Sequence, residues 1–266
     1  MKNLIKAGRA FYGIGIAGIG IQQFIYGEFR PVILPDWPAS FSGVAVWAYI
    51  SGICLVVAGA IITFSKKAKT TTLDLGLAFL LLFIGVQIPY QLFISPNDFH
   101  IGSWTDPLKE LALSGGAFVI ADSYNEEGLN PTRDSAFEKF MKLFIPWGSI
   151  FFSITMIVFG IDHFIYTPFV ATLVPNWIPW HIFWTYFAGI ALAGAGVCII
   201  LKIKLRLIGL LLGIMLFIWF VILHIPRAIM DPYVDKGNEV TSVFEALAFS
   251  GIAFVIAFMR KRKLLA

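Results

Sequence analysis

The 266 residues are 58% hydrophobic and only 14% charged, with a net charge of +4. A soluble domain of this size cannot cover so much apolar surface, so a soluble enzyme is excluded. The basic excess is better read as a topology signal than as a nucleic-acid surface, because juxtamembrane charges of this kind meet anionic lipid.

Apolar residues come in blocks long enough to cross a bilayer as helix. The pattern predicts eight spans, at roughly 4–26, 43–64, 73–94, 107–122, 142–163, 182–201, 205–226 and 241–259. Closed barrels are the other way to satisfy the backbone in lipid. Their strands would alternate, whereas Leu77-Ala78-Phe79-Leu80-Leu81-Leu82-Phe83-Ile84 is apolar on every face. Lys2, Lys6 and Arg9 precede the first span as they would in a leader. No small-residue cleavage pattern follows, and the span is expected to be retained.

The loop after span 1, residues 28–42, carries Pro31, Pro35, Trp37 and Pro38. Its counterpart after span 5, residues 167–181, carries Pro168, Pro175, Trp177, Pro179 and Trp180. Such segments read either as an interfacial aromatic belt or as a lid over a cavity. Residues 123–139 form the one long polar stretch and read as a linker.

The two halves are one unit written twice. Phe24-Ile25-Tyr26 returns as Phe164-Ile165-Tyr166, and Pro35-Asp36-Trp37 as Pro175-Asn176-Trp177. Trp47-Ala48-Tyr49 is echoed by Trp184-Thr185-Tyr186, Ile88-Pro89 by Ile225-Pro226, and Ala117-Phe118-Val119-Ile120-Ala121 by Ala253-Phe254-Val255-Ile256-Ala257. The offset falls from 140 to 137 and then to 136. The expected fold is therefore all-α: a polytopic membrane protein with eight transmembrane helices in two parallel-repeat four-helix bundles. Residues 1–122 form the first repeat, 123–139 the cytoplasmic linker, and 140–266 the second repeat with a basic tail.

Sixteen of the twenty basic residues fall on one side of this topology, including Lys66, Lys67, Lys69, Arg133, Lys202, Lys204 and the run Arg260 to Lys263. The positive-inside rule then places both termini in the cytoplasm, and a bacterial inner membrane is expected. Cys54 and Cys198 are not repeat equivalents and lie at different depths, so two free buried thiols are expected.

Chemistry is expected in the second half. His163 and His224 stand where the first half has Gln23 and Gln87, and Asp162 stands opposite Gln22. Ionisable residues inside spans are costly and mark function, although Gln and His can equally serve as interhelical polar links. Asp162, His163, His224 and Arg227 are the ligand-binding candidates, with Trp177 and His181 from the adjoining loop. Lys109 aligns with Glu245, and the two are expected to form an ion pair near the axis relating the halves. The histidine spacings match no metal motif. Haem would need axial ligands on facing helices, for which only His163 and His224 qualify. No catalytic motif is present: there is no P-loop, dinucleotide fingerprint or hydrolase elbow.

At this point the chain resembles the DoxX family of small bacterial membrane proteins. The carrying residues are Pro35-Asp36-Trp37 and Trp104-Thr105-Asp106-Pro107-Leu108-Lys109-Glu110, with Ser114-Gly115-Gly116, in the first half. In the second they are His224-Ile225-Pro226-Arg227, Asp231-Pro232, and Glu245-Ala246-Leu247-Ala248-Phe249-Ser250-Gly251. The resemblance implies a tandem duplication of a four-helix unit and a link to quinol chemistry. It suggests an accessory protein in membrane redox or envelope-stress systems, with an outward-facing lipid- or quinone-sized pocket and a membrane redox protein as partner. A small-solute or proton-coupled transporter and a structural partner of another membrane complex are the alternatives.

Overall fold

The computed structural model describes residues 2–36, 43–66, 68–95, 100–124 and 136–259. Trp37, Pro38, Lys67, Arg133, most of the linker and the basic run from Arg260 lie outside the described residues. All regular structure among the described residues is helical. The long helices are α1 (Lys2–Tyr26), α2 (Val44–Phe64), α3 (Lys69–Phe93), α4 (Thr105–Ser123), α5 (Gly148–Ile165), α6 (His181–Ile200), α7 (Leu205–Met230) and α8 (Asn238–Phe258).

All but α4, taken with the turns that extend them, are long and apolar enough to cross a membrane. Seven such helices make this a polytopic helical membrane protein. Helix α4 carries Asp106, Lys109, Glu110 and Asp122. Its environment explains this composition: every residue from Pro107 to Ala121 is buried inside the protein. A helix surrounded by other helices can hold polar groups that one facing lipid could not.

The helix partnerships do not follow the division at the linker. Helix α1 lies along α2 on one side and along α8 on the other. Helix α5 lies along α6 and α4, while α3 packs on α4 and α7 on α8. Helices α4 and α8 meet at the centre, and α6 meets α7 only over a short stretch. Small residues set these pairings. Gly8 faces Gly251 where α1 crosses α8, and Gly115 faces Gly148 where α4 crosses α5. A Cβ on any of the four would collide with the opposing carbonyl, and in lipid such close packing carries much of the association energy.

Corresponding contacts recur at repeat positions. Ser114 Oγ donates to the Gly76 carbonyl at 2.8 Å, and Ser250 Oγ donates to the Gly213 carbonyl at 2.8 Å. Gly20 faces Gly52 as Gly160 faces Gly189. Helices α3 and α7 each contain one π turn, Phe83–Gln87 and Phe220–His224. Pro89 and Pro226 follow within two residues. Proline lacks an N–H and crowds the carbonyl four residues back. A widened turn relieves that conflict, and it re-aims the residue that closes it, Gln87 in one helix and His224 in the other.

The loops at the end away from the termini differ sharply. After α1, Arg30, Val32 and Ile33 tuck into the bundle, with Arg30 fully buried and donating to the Lys236 carbonyl. After α5, the equivalent stretch is a short helix, Thr167–Leu173, that lies less deeply.

Candidate functional site

The amides Gln22, Gln23 and Gln87 of the first half are buried and each makes a hydrogen bond to a neighbouring segment, while Gln23 Nε2 has no partner among the described residues. Gln22 Oε1 accepts from the Thr241 hydroxyl at 2.8 Å, and Gln23 Oε1 accepts from Ser51 at 2.8 Å. Gln87 Nε2 donates to the Pro31 carbonyl at 3.0 Å. Together with Arg30, Val32 and Ile33 they close that end of the bundle.

The same positions in the second half open into a cavity of about 1380 Å³. Two local changes account for part of this. The repeat partner of Ser51 is Ala188, which has no hydroxyl to offer His163. The partner of Thr241 is Thr105, whose hydroxyl donates to the Gly102 carbonyl at 2.7 Å and not to Asp162. The cavity runs between α5, α6, α7 and α8 with its polar end at α4. Its shaft is apolar, lined by residues such as Leu192, Leu212, Leu216 and Phe249. On α6 the lining extends from Trp184 to Cys198, fourteen steps of helix or about 21 Å.

The polar end gathers most of the titratable side chains that the repeat comparison singles out. Asp162, His163 and His224 all line it, and so do Lys109 and Glu245. Lys109 Nζ stands 3.0 Å from Glu245 Oε2 and 3.1 Å from Asp106 Oδ1. This is an ion pair between helices of different halves, on the cavity wall. His163 Nδ1 donates to the Phe159 carbonyl at 2.7 Å, and its ring stacks on Trp219 at 6.2 Å between centroids. A carbonyl partner holds the proton on Nδ1, so Nε2 is left as an acceptor. Asp162 Oδ1, His224 Nδ1 and Glu245 Oε1 are buried without a hydrogen-bond partner among the described residues.

Three candidates are placed elsewhere. Arg227 is bound to Glu239, with Nε donating to Oε2 at 2.8 Å, and neither Trp177 nor His181 lines the cavity. Trp177 is 72% exposed and Trp180 is 77% exposed, as side chains at a membrane interface are. The parts of that loop that line the cavity are Phe169, Val170, Leu173, Val174, Pro175 and Ile178. Sequence reasoning passed over Thr105, His100 and Tyr166. The Tyr166 hydroxyl lies 3.4 Å from His100 Nδ1, and the two rings stack at 4.8 Å. The repeat pairs Thr105 with Thr241 and Tyr166 with Tyr26 were the available signal.

Cys54 and Cys198 are free thiols, but they are not buried as expected: Cys54 is exposed and Cys198 is half-buried. Among the described residues no three His, Cys, Asp or Glu side chains converge as ligands for a metal ion. Comparison of the chain with family models, with curated proteins and with solved structures gave no match.

Proposed function

We propose that this is a DoxX-type membrane protein that binds an amphipathic molecule of quinone or lipid size in the cavity of its second half. The observation that carries the reading is the form of that cavity: a long apolar shaft ending in Asp162, His163, His224 and the Lys109–Glu245 pair. Ligand sites are typically concave, mostly apolar and fitted with a few convergent polar groups. An isoprenoid quinone suits both parts, and an accessory role beside a membrane redox or envelope-stress system follows from such a ligand.

The same proposal includes eight spans in two four-span units, related by a pseudo-two-fold axis along the membrane normal. The recurring serine bonds, glycine contacts and π turns support it. So does the reach of α4. Its Thr105 end lines the cavity, and its Ser123 end accepts a hydrogen bond from Arg9, 2.9 Å away near the chain start. With sixteen basic residues on one side, both termini are cytoplasmic and the polar end of the cavity faces outward in a bacterial inner membrane.

The test is thermal stabilisation of the purified protein by short-chain quinone analogues, in the wild type and in a His163→Gln/His224→Gln variant. The variant carries the amides of the first half and is expected to fold. Ligand at a hundred times its Kd stabilises the folded state by about 2.7 kcal/mol. A shift in the wild type that is lost in the variant is the expected result. No shift in either overturns the reading.

A further inference from the structure

The unmade hydrogen bonds of the cavity say which head group it takes. Asp162 Oδ1, Glu245 Oε1 and His224 Nδ1 are all buried and unpartnered among the described residues, and all three residues line the one cavity. Each unmet buried polar group carries an uncompensated desolvation penalty. Three such atoms on residues that line the same cavity mark where a ligand's donors would be used.

Their chemistry limits that partner. An ionised carboxylate only accepts. His163 offers Nε2, also an acceptor, because Nδ1 is committed to the Phe159 carbonyl. Among the lining residues Lys109 is the cation, and its ammonium already serves Glu245 and Asp106. Arg227, the next cation along α7, is held by Glu239. The orphaned oxygens Asp162 Oδ1 and Glu245 Oε1 are acceptors that only a donor on the ligand can meet, and they sit beside a local excess of carboxylate. An anionic head would be repelled there, and a head bearing only carbonyl oxygens would leave the two carboxylate oxygens unmet.

We infer that the cavity takes an uncharged amphiphile whose head donates hydrogen bonds through hydroxyl groups, in preference to the oxidised quinone or to a phosphate-bearing lipid. A hydroquinone and a monoacylglycerol share this chemistry, and the apolar shaft accommodates the tail of either. The inference rests on the proposed ligand-binding role of the cavity, and its failure can be told apart from the failure of that role.

The experiment uses the full-length protein in phosphatidylcholine nanodiscs and measures binding of four probes with the same ten-carbon tail. They are the hydroquinone under anaerobic reducing conditions, its oxidised quinone, its dimethyl ether and the monoacylglycerol. The expected result is at least tenfold tighter binding of one or both hydroxyl-bearing probes than of the quinone and the ether. Which of the two binds identifies the source of the head group. In Asp162→Leu that preference should shrink several-fold while tail-driven binding persists. The variant should fold, because Oδ1 makes no hydrogen bond that is lost. Asp162→Asn, closer in shape, serves as the second variant and should retain part of the preference. Equal or tighter binding of the quinone or the ether overturns the inference and leaves the cavity a ligand site. No binding of any probe overturns both.

Discussion

Lys109→Met is the most telling single substitution. The ammonium it removes lies 3.0 Å from one carboxylate and 3.1 Å from another, with the Lys109 and Glu245 side chains 10% and 4% exposed. Breaking a buried ion pair from one side leaves a charge without a partner and costs about 3–5 kcal/mol. The loss should not be symmetric. In Lys109→Met both Glu245 and Asp106 lose their cation. In Glu245→Gln the ammonium keeps Asp106 and gains an amide oxygen, so the cost should fall to about 1–3 kcal/mol. The double exchange Lys109→Glu/Glu245→Lys restores the pair but sets a carboxylate beside Asp106. That side chain is about one-third exposed and can turn toward water, so recovery should be partial. Unfolding by sodium dodecyl sulfate in mixed micelles, followed by tryptophan fluorescence, measures all three variants. A Lys109→Met protein as stable as the wild type refutes the argument. So does Glu245→Gln costing more than Lys109→Met.

Two further outcomes are expected. Ser114→Ala and Ser250→Ala each remove one hydroxyl-to-carbonyl bond of 2.8 Å. Each should cost about 0.6 kcal/mol, typical of a polar link in a membrane bundle, and a large difference between them in the same unfolding titration would count against equivalent halves. Gly194 lines the cavity, and a Cβ there meets nothing within 4 Å. Gly194→Phe should therefore fold with little change in unfolding midpoint yet abolish ligand-induced stabilisation, and undiminished stabilisation would place the ligand elsewhere.

The helical spans are readable because apolar blocks of bilayer length recur along the chain, and the contrast of Gln22, Gln23 and Gln87 with Asp162, His163 and His224 points to the second half. The cavity is not readable. It opens where the helix Thr167–Leu173 lies less deeply than Arg30, Val32 and Ile33 do in the first half. Hydropathy reports composition along a span and does not report how far two spans stand apart. Arg227 misleads for a related reason. It lies three residues from His224, beyond Pro226, but its partner Glu239 belongs to the next helix. Trp177 and Trp180 carry a pattern that fixes depth and leaves direction open. Helix α4 shows the opposite failing: its charges weaken the hydropathy signal because its neighbours are protein along its length.

The pairing of α1 with α8 has a consequence for biosynthesis. Gly8 meets Gly251, so the glycine face of α1 has its partner in α8, which is made much later. At 5–20 residues per second, the intervening chain takes roughly 10–50 s to synthesise. Helices α4 and α5 are neighbours in the chain and can pair as they emerge, whereas α1 must wait in the bilayer with Gly8 and Gly15 uncovered. A ribosome that stalls before α8 leaves an orphan helix with an unfilled groove, the kind of surface on which membrane quality control acts.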